Sequence, residues 1–347
     1  MTGLTELLWA PVLAFSLSAL LTPVMVRVAP RIGAVDVPRD GRRLHKRPIP
    51  RTGGVAIFVA FLLSVGMISG PLVAMVRLLL GATLLLLLGL VDDVYRLSAR
   101  VKIVFQILAA LIALGGGAGV SALSLWGVTM DLGLWQLPLS MLWLVALTNA
   151  HNMIDGLDGL CGGVSAIEAV VLALLLAWQG NSAWAGVSLV LCGAALGFLR
   201  YNRHPASIFM GDAGSQLLGF VLGYLALRLD QPRAGDLGAI VPLLLFGVPL
   251  SDLVFAVVRR FLRGQSPFTA DRGHWHHRLF DAGCSQRRTC RILTLVCALL
   301  GGAALGVSRA AWYGYAVYAL LWIVVVMMGV RLRYVKRRKI PRVNASV

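Results

Sequence analysis

The chain has 347 residues, 58% of them hydrophobic and 14% charged, with a mean hydropathy of +0.81. Soluble domains run near half apolar and a quarter charged, so an ordinary cytosolic enzyme, a disordered protein and a disulfide scaffold are excluded. A membrane protein is left. The net charge of +17 follows in that class from cytoplasmic lysines and arginines that face anionic lipid, so membrane lipid is the expected partner and nucleic acid is not.

One span needs about 20 apolar residues. In chain order, apolar runs predict spans at 7–27, 53–70, 72–91, 103–120, 134–150, 161–178, 183–199, 213–229, 238–258, 289–307 and 311–330. The first run has no basic segment before it and is too long for a cleaved signal peptide, so it counts as a span. Arg77 falls inside the third run and must snorkel or mark a shorter span. Segment 121–137 alternates and contains a turn, which admits a short hairpin in place of helix. The expected fold is an all-α polytopic integral membrane protein of about 11 transmembrane helices, a single domain over 1–347. The five cysteines show no CxxC pair and read as reduced thiols.

Charge sets the orientation. Segments 30–51, 92–102, 200–212, 259–291 and 331–342 hold 27 of the 32 lysines and arginines. Placing them in the cytoplasm puts the N-terminus outside and the C-terminus inside.

With that topology the carboxylates become informative. Asp92, Asp93, Asp155, Asp158 and Asp212 all fall at cytoplasmic span ends. A transporter, the competing class, would place ionisable groups near mid-bilayer, and only Glu168 lies there. In GLVDDVYRLSARVK the adjacent carboxylates repel unless a cation sits beside them. They suit Mg²⁺, or one serves as base; an acidic helix end followed by basic residues is the plainer account. In NAHNMIDGLDGLCGG, Asn149, Asn152, Asp155 and Asp158 recur every three residues beside glycines that admit close backbone approach. In FMGDAGS, Asp212 precedes a span, as a metal ligand or as a helix cap. In DRGHWHHRL, His274, His276 and His277 stand among basic residues, poor in zinc spacing and better suited to phosphate. In RRLHKRPIPRTGG most arginines mark the inner side, while Lys46 stands before stiff Pro and Gly residues as a positioned cation.

In chain order, with the basic PxxGG loop first and then the DD, NAxNxxDGxDG, GDxGS and histidine segments, they resemble the polyprenyl-phosphate N-acetylhexosamine-1-phosphate transferase family, the WecA/TagO type of glycosyltransferase family 4, related to MraY. The resemblance covers essentially the whole chain. It implies transfer of GlcNAc-1-phosphate from UDP-GlcNAc to a polyprenyl phosphate, with release of UMP, at the cytoplasmic face of a bacterial inner membrane. It also implies a Mg²⁺ cofactor, or Mn²⁺, and leaves homo-oligomerisation open. Phospho-MurNAc-pentapeptide or another UDP-N-acetylhexosamine is the alternative donor. Carried over by residue, Asp212 is the likeliest direct metal ligand, with Asp92, Asp93 and Asp155 as further ligands. Asp92 and Asp93 contribute a base or substrate positioning. Asn152, Asp155 and Asp158 shape the nucleotide-sugar site, and Asn202 and Phe209 help hold uridine. Lys46, Lys102, His274, His276 and His277 bind phosphates. The active site is then drawn from segments 30–54, 91–102, 149–163, 200–215 and 259–291.

Overall fold

A computed structural model describes residues 2–38, 47–125, 128–229, 240–266 and 273–308. Lys46 and the apolar run 311–330 lie outside the described residues.

The described chain is a helical bundle. Its helices are α1 (Thr2–Val28), α2 (Gly53–Val65), α3 (Leu72–Tyr95), α4 (Ala99–Leu114), α5 (Gln136–Ile154), α6 (Leu160–Trp178), α7 (Ser182–Asn202) and α8 (Gly211–Ala226), then α9 (Ile240–Leu245), α10 (Gly247–Phe261), α11 (Trp275–Asp281) and α12 (Gln286–Val307). The apolar run predicted at 238–258 is divided at Phe246, where α9 gives way to α10. The expectation of an all-α chain is corrected in two places. Val35–Asp36 pairs with Ile49–Pro50 as β1 and β2, and Ala122–Leu125 pairs antiparallel with Val128–Asp131 as β3 and β4. The second ribbon is the hairpin that alternation in 121–137 allowed.

Among the described residues, five helical segments are long and apolar enough to cross a membrane: Thr5–Ile32, Leu72–Tyr95, Leu160–Trp178, Ser182–Asn202 and Gln286–Val307. Large apolar side chains on their outer faces, such as Trp9, Leu20, Leu87 and Leu299, are exposed. An apolar belt of this kind suits a lipid solvent and would be a liability in water. The protein is a multi-pass membrane protein.

Helix α8 runs through the centre. From Ala213 to Ala226 every residue is buried, as expected of a helix that is apolar all round. α3 and α5 flank it, and α2 meets its first turn. Two contacts there depend on glycine. A Cβ on Gly54 would lie 2.3 Å from Gly214 N, and one on Gly89 would lie 2.3 Å from Ala213 Cα. Both α2 and α3 therefore touch the backbone at the start of α8, which fixes where Asp212 emerges.

Candidate active site

Asp92 and Asp93 end α3, Lys102 lies in the first turn of α4, and Asp212 lies in the first turn of α8. Lys102 Nζ stands 3.0 Å from Asp92 Oδ2 and 3.1 Å from Asp212 Oδ2. Arg51 Nη2 stands 3.5 Å from Asp212 Oδ1 and 3.2 Å from Asp93 Oδ1. The order Asp92, Lys102, Asp212, Arg51, Asp93 thus alternates in charge. Arg51 was not separated from its neighbouring arginines by sequence. It is held at the site because Pro50 O accepts from Phe209 N–H (2.8 Å), while Gly53 and Gly54 donate to Phe209 and Met210 (3.0 and 2.9 Å).

The adjacent carboxylates have different tasks. Asp92 accepts from Leu97 N–H at 2.6 Å and so shapes the turn into α4. Asp93, with no side-chain exposure, accepts from the backbone N–H groups of Asp212 (3.1 Å) and Ala213 (3.4 Å). It occupies the N-terminus of α8, where free donors and the helix dipole favour a negative charge, but burial outweighs these and Arg51 together and raises its pKa to about 7.

Asp155 closes α5 and faces the same cluster. It makes no hydrogen bond among the described residues. Burial pushes its carboxyl well above the usual range; Arg51 opposes that shift, and Asp212, Asp93 and Asp158 add to it. Arg51 itself is pushed upward, because the charges of Asp93, Asp212, Asp36 and Asp155 outweigh its burial.

The other expected residues divide into two kinds. Asn152 donates to Ser215 Oγ on α8 at 3.0 Å, and Phe209 is half-buried, its backbone paired with Pro50 and Gly53. Asp158 and Asn202 are engaged internally. Asp158 Oδ2 meets His204 Nδ1 at 2.7 Å and Ala206 N–H at 3.1 Å. Asn202, buried, accepts from Gly159 N–H (3.0 Å) and donates to Ile208 O (2.8 Å). Both tie segment 155–159 to segment 203–208, so the structure gives them the support of neighbouring loops.

The three histidines gather on α11 and the residue before it. Asp252 of α10, which sequence reasoning passed over, accepts from His274 Nδ1–H (2.8 Å) and Trp275 N–H (2.9 Å). An aspartate inside an apolar helix was the available signal. The His276 and His277 ring centres lie 4.3 Å apart. A Cβ on Gly156 would fall 2.5 Å from His276 Nε2, so this ring lies against the turn that carries Asp155. Burial, with His277 and His274 beside it, lowers the His276 pKa to about 3 despite Asp252.

Among the described residues no three His, Cys, Asp or Glu side chains stand as a ready-made metal cage. The donor set nevertheless fits a hard divalent cation. Four carboxyl groups, Asp92, Asp93, Asp155 and Asp212, face only two cations, Lys102 and Arg51, so a further positive charge would favour their ionised forms. Asp155, which makes no hydrogen bond among the described residues, and Asp212, whose oxygens meet the flexible side chains of Lys102 and Arg51, are the oxygen donors suited to it, whereas both Asp93 oxygens are fixed by backbone N–H groups of α8.

The fold and this cluster define a membrane-embedded protein with an ionised site at one end of its helices. A profile described as Glycosyl transferase family 4 matches residues 75–230. The chain is 38% identical over 298 residues to a probable undecaprenyl-phosphate N-acetylglucosaminyl 1-phosphate transferase of Bacillus subtilis (strain 168), covering 82% of this chain and 81% of the relative. It is 36% identical over 302 residues to a decaprenyl-phosphate N-acetylglucosaminephosphotransferase of Mycobacterium tuberculosis, covering 77% and 74%. It is 29% identical over 312 residues to an undecaprenyl-phosphate alpha-N-acetylglucosaminyl 1-phosphate transferase of Salmonella typhi, covering 87% and 82%. The chain belongs to glycosyl transferase family 4.

Proposed function

We propose that this protein transfers GlcNAc-1-phosphate from UDP-GlcNAc to undecaprenyl phosphate or a related polyprenyl phosphate and releases UMP. The names of its relatives support the donor and the lipid acceptor. The observation that carries the chemistry is the alternating line Asp92, Lys102, Asp212, Arg51, Asp93, with Asp155 facing it.

A lipid phosphate oxygen attacks the β-phosphorus of the UDP-sugar. A new P–O–P bond forms, the bond to the bridging oxygen breaks, and UMP carries away that oxygen and its charge. Both reactants are anions, so positioning and charge neutralisation dominate. Mg²⁺, or Mn²⁺, held by Asp212 and Asp155 would supply charge neutralisation at the diphosphate. Lys102 and Arg51 offer their positive charge to phosphate oxygens, and His274, His276 and His277, of which His276 lies against the Gly156 turn, add ring N–H donors. Asp92, the more exposed of its pair, takes the proton of the lipid phosphate. Asp93 keeps the start of α8 in place.

We further propose eleven spans with the N-terminus outside and the C-terminus cytoplasmic, which places this site on the cytoplasmic face of the inner membrane. The functional test uses radiolabelled UDP-GlcNAc, polyprenyl phosphate and Mg²⁺ with pure protein in detergent. Lipid-linked product and UMP are expected, and unlabelled UDP-GlcNAc competes better than other UDP-sugars. No product, or stronger competition by UDP-MurNAc-pentapeptide, overturns the assignment of the donor.

A further inference from the structure

Away from the aspartate cluster, His151 of α5 and Glu168 of α6 meet in the helical core. His151 Nε2 lies 2.7 Å from Glu168 Oε2, and neither side chain is exposed. His151 Nδ1 lies 3.0 Å from Leu147 O. A carbonyl only accepts, so Nδ1 carries a hydrogen. The contact at Nε2 then needs a second hydrogen, held by either partner, and the pair has no net charge in both cases. This suits burial, where an isolated ion is costly. Glu168 Oε1 has no hydrogen-bond partner, so His151 is the group that explains why this carboxyl is here.

The ring is fixed at both nitrogens, and the residue is held at its backbone carbonyl, at its Cβ and at its ring by three further neighbours. Cys161 of α6 donates to His151 O at 3.5 Å. On α8, a Cβ at Gly219 would stand 2.9 Å from His151 Cβ. Phe246, at the break between α9 and α10, meets the ring edge-on at 6.2 Å. The next residue, Asn152, bonds Ser215 of α8, and Asp155 follows one turn later. Past the break, α10 carries Asp252 and through it His274.

We propose that His151 and Glu168 form a positioning clamp for the transfer reaction. The clamp fixes the last turn of α5 between α6 and α8, and so sets Asn152 and Asp155 relative to Asp212. Through Phe246 the same ring sets the helix that holds the histidine segment. The inference rests on the proposed transferase reading for its kinetic readout only.

The test compares wild type with Glu168→Gln, Glu168→Leu, His151→Phe and the double variant H151F/E168L, as full-length chains in detergent. Turnover, the KM for UDP-GlcNAc, Tm and amide hydrogen exchange of segment 149–160 are measured. Glutamine can donate to Nε2 or, flipped, accept from it, so Glu168→Gln should keep turnover and exchange near wild type. Glu168→Leu and His151→Phe should lower kcat by about tenfold or more, since small misplacements are expensive in catalysis, and should speed exchange in 149–160. The double variant removes both polar partners, so Tm should recover while kcat and exchange do not. The clamp is overturned if Glu168→Leu leaves kcat and exchange unchanged, if Glu168→Gln is as impaired as Glu168→Leu, or if the double variant regains turnover with its Tm. A wild type that makes no product would strike the transferase reading instead, and the exchange data would still decide the clamp.

Discussion

The carboxylate of Asp93 accepts a hydrogen bond from the backbone N–H of Asp212, 119 residues later in the chain, at 3.1 Å. The residue beside Asp92 is therefore a cap for the helix that presents Asp212. The adjacent acids thus differ in what they hold: Asp92 meets Lys102 and Leu97, and Asp93 holds the start of α8.

Asp93→Asn should lower stability and activity together. Asparagine has one acceptor oxygen, so an N–H of α8 and the Arg51 guanidinium compete for it and the amide NH₂ faces donors. Removing a buried charge, whose burial raises the Asp93 pKa to about 7, offsets part of the lost cap, so the net cost is about 1 kcal/mol, read as a lower Tm with a parallel loss of turnover. A wild-type Tm would show that the cap is dispensable.

The buried His276 ring sets an acid limit. Its pKa of about 3 in the folded chain lies below the 6.5 or so of a free histidine. Between those values the unfolded chain binds a proton that the folded chain refuses. Its contribution is intact above about pH 6.5 and declines as pH falls. At pH 5 the loss is about 2 kcal/mol. Thermal unfolding at pH 7.5 and pH 5 should show a smaller acid-induced drop for His276→Asn than for wild type. Equal drops would contradict a neutral, buried His276.

Much of the site was legible because ionisable residues are rare in apolar sequence: Asp92, Asp93, Asp155 and Asp212 stood out at span ends and do converge. Arg51 did not, since composition alone cannot distinguish it from Arg42, Arg43 and Arg47 in the same basic segment. Only the backbone pairing of Pro50, Gly53 and Gly54 with residues 209–210 brings it to Asp212. Asp252 was missed for a similar reason, its partners lying 22 and 23 residues onward. Asn202 and Asp158 show the converse. The spacing of Asp158 and the family resemblance of Asn202 pointed to the nucleotide-sugar site, and neither signal showed that both also tie neighbouring loops together. The break at Phe246 was hidden because an apolar run carries no mark of where its helix divides.

The orientation is open to a direct check. Segment 331–342 contains seven lysines and arginines after the last apolar run, and such residues stay on the cytoplasmic side. A reporter joined after Val347 should read cytoplasmic. An outside signal would overturn the eleven-span count.

Asp155 should show a functional carboxylate that costs stability. Burial first, then the negative charges of Asp212, Asp93 and Asp158, raise its pKa in the folded chain, and Arg51 offsets this only in part. A carboxyl raised in this way binds its proton more tightly when folded, so its stabilising contribution fades as pH rises above the unfolded value of about 4. At neutral pH without a divalent cation, Asp155→Asn should therefore have a Tm equal to or above wild type. Its turnover should fall by roughly a hundredfold or more, because the charge that complements the cation at the reacting phosphates is gone. Mg²⁺ should raise the Tm of wild type and have less effect on the variant, since a ligand stabilises the state that binds it. Asp212→Asn should also lose activity, but by a different route: Lys102 and Arg51 both lose a partner, so its Tm should not rise. If Asp155→Asn turns over near the wild-type rate, the cation assignment passes to Asp212 and Asp92. If instead it unfolds several degrees early, the carboxylate is structural and the charge argument for this site fails.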